Sequence, residues 1–214
     1  MEEKIFKLRG KTLTIIDWAN VYGWFKKLKW EIDPKKLYDY LKSYPEIYDI
    51  KFYFGIEKGN KKSEVFHKEI KNIGYNLISK EVKWVPVDLK ITHFKDDNRQ
   101  IRSIAKAFGE KESYDLFEKF LKELHIPFGG QFYRRKCDFD CEITLDIMNN
   151  INELDGVILF SGDGDYAILA DELIKRKKQI IVVFAPGCKG KEFEDFKKEL
   201  YLCSVNRLRE FLRK

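Results

Sequence analysis

Aspartates follow two short apolar runs of this sequence. Leu13–Ile16 leads into Asp17, and Val157–Phe160 leads, through one serine and one glycine, into Asp163–Asp165. Short runs rich in β-branched and aromatic residues that end at a turn signal predict buried strands of a parallel sheet. In open α/β sheets, ligands bind beyond the carboxyl ends of the strands. Three carboxylates brought there would repel one another unless a cation lay between them, so the pattern predicts a divalent-metal site.

Each of these aspartates also has an ordinary structural interpretation. Asp17 fits a helix N-cap, and Asn20 follows closely enough to turn its amide toward the same strand end. Asp165 falls in the first turn of a predicted helix, where the helix dipole favours negative charge. A cap and a dipole explain one aspartate easily but explain two poorly. Gly162 and Gly164 permit a tight turn and the close approach of a ligand, and Mg²⁺ prefers oxygen ligands.

A third acidic stretch lies in a helix predicted over Asp138–Asn152. At about 100° per residue, Asp140 shares a stripe with Ile147, on the face expected to meet the sheet. A carboxylate on such a face needs a partner, and a metal ion would provide one. Asp138 is explained as an acid at a helix start, and Asp146 lies about 120° around the helix from Asp140. We therefore expect Asp17, Asp140, Asp163 and Asp165 to hold one or two Mg²⁺ or Mn²⁺ ions.

Strand and helix patterns alternate along the chain, which predicts βαβ units, a parallel sheet and an α/β fold. Residues 88–135 are less regular, so we predict an insertion or flap there within a single domain over residues 1–214, followed by a C-terminal helical tail from about 192 to 214. The predicted strands are Lys11–Asp17, Ile50–Ile56, one or two between Tyr75 and Val87, Val157–Phe160 and Gln179–Phe184. The predicted helices start at Trp18, at Asp33-Pro34 and at Ser63 (closed by Gly74), and cover 113–124, 138–152, 166–177, 192–200 and 205–213, with Ser204 as the last cap.

The composition limits the class of protein. The chain has 214 residues, of which 41 are basic and 35 acidic, giving a net charge of +6. This excess permits a polyanionic partner without establishing one. The start of the chain is charged and no apolar stretch approaches the length of a membrane span, so we expect a cytoplasmic protein with no membrane partner. Four cysteines do not indicate a disulfide framework. The oligomeric state stays open, a homo-oligomer included.

Three ordered motifs resemble the NYN branch of the PIN-like nucleases. The first is Ile15–Asn20, the second is Lys136–Asp140 with Asp146 six residues later, and the third is Val157–Tyr166, which is the most specific. The strand Gln179–Phe184 follows in the expected order. The match runs discontinuously over most of the chain and leaves the insertion and the C-terminal tail uncovered.

The resemblance implies a Rossmann-like three-layer α/β/α domain that cuts RNA with a metal-dependent acidic site. It carries Asp17, Asp140, Asp163 and Asp165 over as the carboxylate set, and the supporting residues it implies are Asn20, Asp138, Asp146 and Ser161. One departure is that basic residues precede the two helix acids where the family often has Lys-Gly, which leaves open whether Asp138 or Asp140 is the ligand. These basic residues, placed where an RNA backbone could approach, are Arg134, Arg135 and Lys136.

Two other functions are weighed against an endoribonuclease. A non-catalytic RNA- or protein-binding module would keep the acidic pocket for structural reasons. A metal-dependent phosphatase is suggested by the acidic stretch Gly162–Asp165, which is similar to the acidic loop of haloacid-dehalogenase-type enzymes. Those enzymes carry an Asp-x-Asp nucleophile after the first strand, and Trp18-Ala19 stands there in this chain.

Overall fold

The computed structural model describes residues 4–87, 132–196 and 200–214, and its chain divides into two compact units. The first unit comprises Met1–Glu81 and Cys137–Lys214, and the second comprises Val82–Lys136. The strands are β1 (Thr12–Asp17), β2 (Ile47–Tyr53), β3 (Asn76–Ile78), β4 (Lys83–Val87), β5 (Phe132–Lys136), β6 (Gly156–Phe160), β7 (Gln179–Phe184) and β8 (Leu200–Ser204). The helices are α1 (Trp18–Leu28), α2 (Pro34–Lys42), α3 (Lys61–Ile73), α4 (Asp140–Asn150), α5 (Ala167–Lys175) and α6 (Arg209–Leu212).

A six-stranded sheet forms the centre of the first unit. Its strand order is β3-β2-β1-β6-β7-β8, and each neighbouring pair is parallel. This confirms the predicted α/β fold with a mainly parallel central sheet. In the second unit, β4 and β5 pair antiparallel, with Val85 opposite Arg134. Within the described parts of the chain, none of the helices combines the length and apolar character needed to span a membrane.

Alternate residues of the central strands pack on opposite faces of the sheet, because side chains of a strand point to its two faces in turn. In β6, Ile158 and Phe160 join one buried cluster with residues of α1, α2, α3 and α6. Val157 and Leu159 join a second cluster with residues of α4 and α5. Helices thus cover both faces of the sheet, which gives the three-layer arrangement. This coverage explains why β6 and β7 are almost entirely apolar.

The strand order places a topological switch point between β1 and β6. From β1 the chain continues to β2 on one side, through helices on the first face. From β6 it continues to β7 on the other side, through α5 on the second face. The connections therefore diverge at the carboxyl ends of β1 and β6, and such a divergence opens the crevice where α/β proteins bind ligands.

Several predicted element boundaries are confirmed. Asp33 caps α2 by accepting the N–H groups of Lys35 and Lys36, with Pro34 at the first helical position. Gly74 ends α3 in the left-handed region at φ 113°, where an L side chain is strained. The helix predicted at 113–124 lies outside the described residues.

The predicted C-terminal helical tail over 192–214 is wrong in its middle. Leu200–Ser204 is a strand, β8, that pairs with β7 from Ile180–Leu200 to Phe184–Ser204. Leu200 and Leu202 pack with one buried cluster and Cys203 with the other, which fits the strand period and not the helix period. Ser204 precedes the following 3₁₀ turn, but its side chain makes no capping hydrogen bond there.

Candidate active site

Asp17 lies at the crevice beyond the carboxyl ends of β1 and β6, because it is the last residue of β1 and the N-cap of α1. Its Oδ1 accepts the backbone N–H of Asn20 at 3.3 Å, so the capping role expected from the sequence is real. Its Oδ2 accepts the hydroxyl of Ser161 at 3.3 Å. The same Ser161 oxygen accepts the backbone N–H of Asp163 at 3.3 Å. One hydroxyl thus joins the end of β1 to the turn after β6.

Asn20 makes a second connection between these two strand ends. Its Oδ1 accepts the indole N–H of Trp24 at 2.8 Å and the backbone N–H of Gly162 at 3.1 Å. Trp24 is 1% exposed, so the amide is anchored to the buried side of α1. Asn20 and Ser161, both proposed as supporting residues, therefore lie beside Asp17.

Asp140 reaches the same region from a third element, as the first residue of α4. Its Oδ1 accepts the hydroxyl of Tyr166 at 2.9 Å, and Tyr166 is itself 2% exposed. Tyr166 ends the 3₁₀ turn that Asp163 caps by accepting the N–H of Asp165 at 3.2 Å. Asp165 is exposed. We call Asp17, Asp140, Asp163 and Asp165 the acidic rim.

Burial and the surrounding negative charges raise the pKa of two carboxylates of the acidic rim, Asp17 and Asp140. Burial raises the pKa of Asp17 to about 6, and the negative charges of Asp140 and Asp163 add to the rise, against the hydrogen bonds from Asn20 and Ser161. Burial also raises the pKa of Asp140, with further contributions from Asp163, Asp138 and Asp165, and against the hydrogen bond from Tyr166. Such repulsion is the condition that a bound cation relieves.

The carboxylate side chains of the acidic rim do not converge on a single point where a metal ion could bind. Among the described residues, no group of three or more His, Cys, Asp or Glu side chains is placed to hold a metal ion. In the same part of the chain, the ion pairs involve neither Asp17, Asp140 nor Asp163. The donor set is all hard oxygen, which suits Mg²⁺ or Mn²⁺. The metal ligands therefore stay a prediction.

The two helix acids that the sequence left open occupy different environments. Asp140 is partly buried and bonded to Tyr166, and its pKa responds to the charge of Asp163. Asp138 is exposed and precedes the first residue of α4. Asp17 thus lies within range of the charge of Asp140, and both lie within range of that of Asp163, while the choice between Asp138 and Asp140 as the metal ligand stays a prediction.

Asp146, the remaining acid of α4, is paired with residues of β2. Its Oδ1 lies 2.5 Å from Nζ of Lys51, and its Oδ2 accepts the hydroxyl of Tyr53. The Lys51 and Asp146 side chains are only 13% and 22% exposed. Tyr53 is the register partner of Asp17 on the neighbouring strand. Asp146 therefore fastens α4 to the strand beside β1, which supports the placement of Asp140.

Gly162 and Gly164 lie where another part of the chain packs too closely to leave room for a side chain. Neither Gly162 nor Gly164 has a positive φ, so the expected tight turn does not need them for that reason. A Cβ on Gly162 would lie 1.9 Å from the carbonyl oxygen of Cys188. The N–H of Gly190 also donates to the carbonyl of Gly162 at 2.8 Å. The loop after β7 thus packs backbone to backbone on the turn after β6.

One carboxylate near the acidic rim was not predicted. A Cβ on Gly164 would lie 1.9 Å from Oε2 of Glu192, so this carboxylate lies against the turn that Asp163 caps. The sequence placed Glu192 in a helical tail with no link to the site. Gly164 and Gly190 lie in two separate loops whose backbones approach each other closely. Glycines at such positions permit this approach, and they are the sequence signal that could have placed Glu192 near the site.

The proposed RNA-contacting residues Arg134, Arg135 and Lys136 lie on β5 in the second unit. Arg135 is opposite Trp84, and Lys136 is opposite Lys83, in the antiparallel pairing with β4. Their role in binding RNA stays a prediction.

Comparisons with known proteins identify the family to which the chain belongs. The chain is 25% identical over 201 residues to the low amplitude and bright protein LabA of Synechococcus elongatus, covering 93% of this chain and 86% of that protein. A solved structure of a protein of unknown function from Vibrio parahaemolyticus superposes with a TM-score of 0.58 at 19% identity, over 97% of this chain and 99% of the other, and therefore shares the fold. The family model of the NYN domain matches residues 91–202, which is more than half of the chain. This protein belongs to the NYN domain family.

Proposed function

We propose that the protein is a metal-dependent endoribonuclease that hydrolyses RNA phosphodiester bonds at the acidic rim. The observation that carries the proposal is that Asp17, Asp140 and Asp163, from three separate elements, lie within range of one another's charge at the switch point of the sheet. Membership of the NYN family supports it, because the resemblance of the motifs implies a nuclease. Arg134, Arg135 and Lys136 remain proposed contacts to the RNA backbone.

Each residue of the proposed site has a separate task. Asp17, Asp140, Asp163 and Asp165 would hold Mg²⁺ or Mn²⁺, which when bound polarises a phosphodiester and lowers the pKa of an attacking water. Asn20 and Ser161 hold Asp17 against the turn after β6. Tyr166 donates its hydroxyl to Oδ1 of Asp140, and Oδ2 would be the oxygen that a metal ion takes.

A cleavage assay tests the proposal. Labelled single-stranded RNA is incubated with the protein and Mn²⁺, and Asp163→Asn is expected to lower the cleavage rate by about a hundredfold or more, because it removes one charge from the site. Asp171→Asn is the matched control, since Asp171 lies on α5 in an exposed ion pair with Lys175. Equal rates for the wild type and Asp163→Asn would reject the proposal.

A non-catalytic RNA-binding module is the second candidate. The observation in its favour is that the described carboxylates do not converge on one point. This candidate predicts RNA binding that survives both chelation and Asp17→Asn, with no cleavage product at any Mn²⁺ concentration. Stimulation of cleavage by Mn²⁺ that Asp17→Asn abolishes would exclude it.

A further inference from the structure

The solvent-facing side of α1 carries residues that the fold does not require. Trp18, Val21 and Trp24 form the buried side of this helix. The opposite side begins next to Asp17 and runs toward the C-terminal end of the helix. We call it the outer face of α1, and its exposed residues are Ala19, Tyr22, Gly23, Lys26 and Lys27.

Tyr22 is an exposed aromatic ring held in a defined orientation. It is 62% exposed, although it lies on the same helix as two buried tryptophans. Its ring meets that of Phe25 with the centroids 5.3 Å apart and the planes at 60°. An exposed ring fixed in this way offers a stacking surface for an unpaired base. Bases of a duplex are already stacked on each other, so the ring favours a single strand.

Gly23 lies in the interior of α1 without a packing reason. A Cβ added there would meet nothing within 4 Å. Glycine inside a helix is destabilising relative to alanine, so this residue is unfavourable for the isolated fold. Ala19 and Gly23 are four residues apart and lie on one side of the helix. Together they leave the backbone beside Tyr22 open to close approach by a ligand.

The charge of the outer face is complementary to a polyanion. No acidic residue occurs between Trp18 and Leu28, whereas Lys26 and Lys27 end the helix. The helix dipole accounts for favourable cations at that end, but RNA beside the acidic rim needs positive charge nearby to offset the carboxylates. The ammonium of Lys27 donates to the carbonyl of Gly187, in the loop that packs on Gly162.

We propose that the outer face of α1 binds single-stranded RNA and leads it to the acidic rim. Tyr22 stacks on a base, Ala19 and Gly23 let the strand lie close to the helix, and Lys26 and Lys27 contact phosphates. This inference rests on the proposed function, from which it takes RNA as the nucleic acid. It adds that the RNA is single-stranded and that the outer face of α1 selects it.

Binding is measured without cleavage, by fluorescence anisotropy of a labelled single-stranded RNA of about 12 nucleotides in a buffer with EDTA. Tyr22→Leu is expected to weaken binding about tenfold through the loss of stacking. Lys26→Gln is expected to reduce the slope of log affinity against log salt by about 0.7, as one phosphate contact is lost. Tyr48→Leu is the matched control, because Tyr48 is 40% exposed but lies near the amino end of β2.

Gly23→Gln separates binding from folding. The added side chain enters open space in the protein and removes a helix-destabilising glycine, so the thermal midpoint should stay equal or rise. Binding of single-stranded RNA should nevertheless fall at least about fivefold, because the glutamine occupies the place of the strand.

The outcomes distinguish this proposal from the nuclease proposal. RNA that binds with the expected variant pattern but is not cleaved in Mn²⁺ supports the outer face and rejects the nuclease. Cleavage with unchanged binding by Tyr22→Leu, Lys26→Gln and Gly23→Gln overturns the outer face and leaves the nuclease standing. Binding of a matched duplex as tightly as the single strand also overturns it.

Discussion

Replacing Asp17 by asparagine should stabilise the metal-free protein at neutral pH. The pKa of Asp17 is raised from 3.8 to about 6, first by burial and then by the charges of Asp140 and Asp163. In the unfolded chain this carboxyl titrates near its ordinary pKa of about 3.9. The folded state therefore binds the proton more tightly than the unfolded state, and ionisation of Asp17 opposes folding. The penalty is absent below pH about 4, grows between about 4 and 6, and is complete above that.

The size of the effect follows from the shift. About two pKa units at 1.36 kcal/mol each give roughly 3 kcal/mol, and screening by the solvent that reaches this partly buried group reduces the figure to about 2 kcal/mol. Asparagine keeps an oxygen that can accept the N–H of Asn20, and it ranks with aspartate as an N-cap. The Ser161 hydroxyl can accept from the new amide. The change thus removes the charge and keeps the hydrogen bond from Asn20, while the Ser161 hydroxyl changes from donor to acceptor toward residue 17.

Urea unfolding in EDTA at pH 7.5 and pH 4.5 measures the difference. We expect Asp17→Asn to exceed the wild type by about 2 kcal/mol at the higher pH and by less than half of that at the lower pH. Asp171→Asn, on the exposed surface, should change little at either pH. In Mn²⁺ the wild type should gain stability that Asp17→Asn does not. A variant less stable than the wild type at pH 7.5, or a difference independent of pH, would refute the reasoning.

Three further substitutions test the surroundings of the acidic rim by urea unfolding. Gly162→Ala should destabilise by at least about 2 kcal/mol, because its Cβ would lie 1.9 Å from a backbone carbonyl oxygen; a neutral result would show that the loop after β7 yields easily. Lys51→Met should destabilise by about 2 kcal/mol by leaving the partly buried Asp146 without its cation, and an unchanged free energy of unfolding would show that this ion pair contributes nothing. Tyr166→Phe should destabilise by about 1 kcal/mol and weaken Mn²⁺ binding measured by calorimetry through the freed carboxylate of Asp140; unchanged Mn²⁺ affinity would separate Tyr166 from the site.

Local signals in the sequence were sufficient for the centre of the sheet. Val157–Phe160 and Gln179–Phe184 are continuous apolar runs because helices cover both faces of these strands. Asp33-Pro34 and Gly74 mark helix ends through backbone properties that do not depend on distant residues. The convergence of Asp17 with the turn after β6 followed from one topological rule about strand ends.

Features that depend on contacts between distant segments could not be predicted in this way. β8 is five residues long and follows a charged stretch with helical character, so only its pairing with β7 identifies it as a strand. The approach of Glu192 to Gly164 depends on how the loop after β7 folds back. The bond from Tyr166 to Asp140 joins residues 26 positions apart and needs both turns in place.

The negative charge of Asp17 and the hydrogen bonds around it have opposite effects on the free energy of folding. Ionised Asp17 opposes folding at neutral pH, whereas Asn20 and Ser161, which hold it, join it by hydrogen bonds to α1 and to the turn after β6. Asn20 accepts from the buried indole of Trp24 and from the backbone of Gly162, so the position of the rim is tied to the core of α1. A carboxylate that served only to cap α1 could be asparagine without loss. We therefore propose that a bound cation offsets the unfavourable charge, and the Mn²⁺ measurement on Asp17→Asn isolates this interaction.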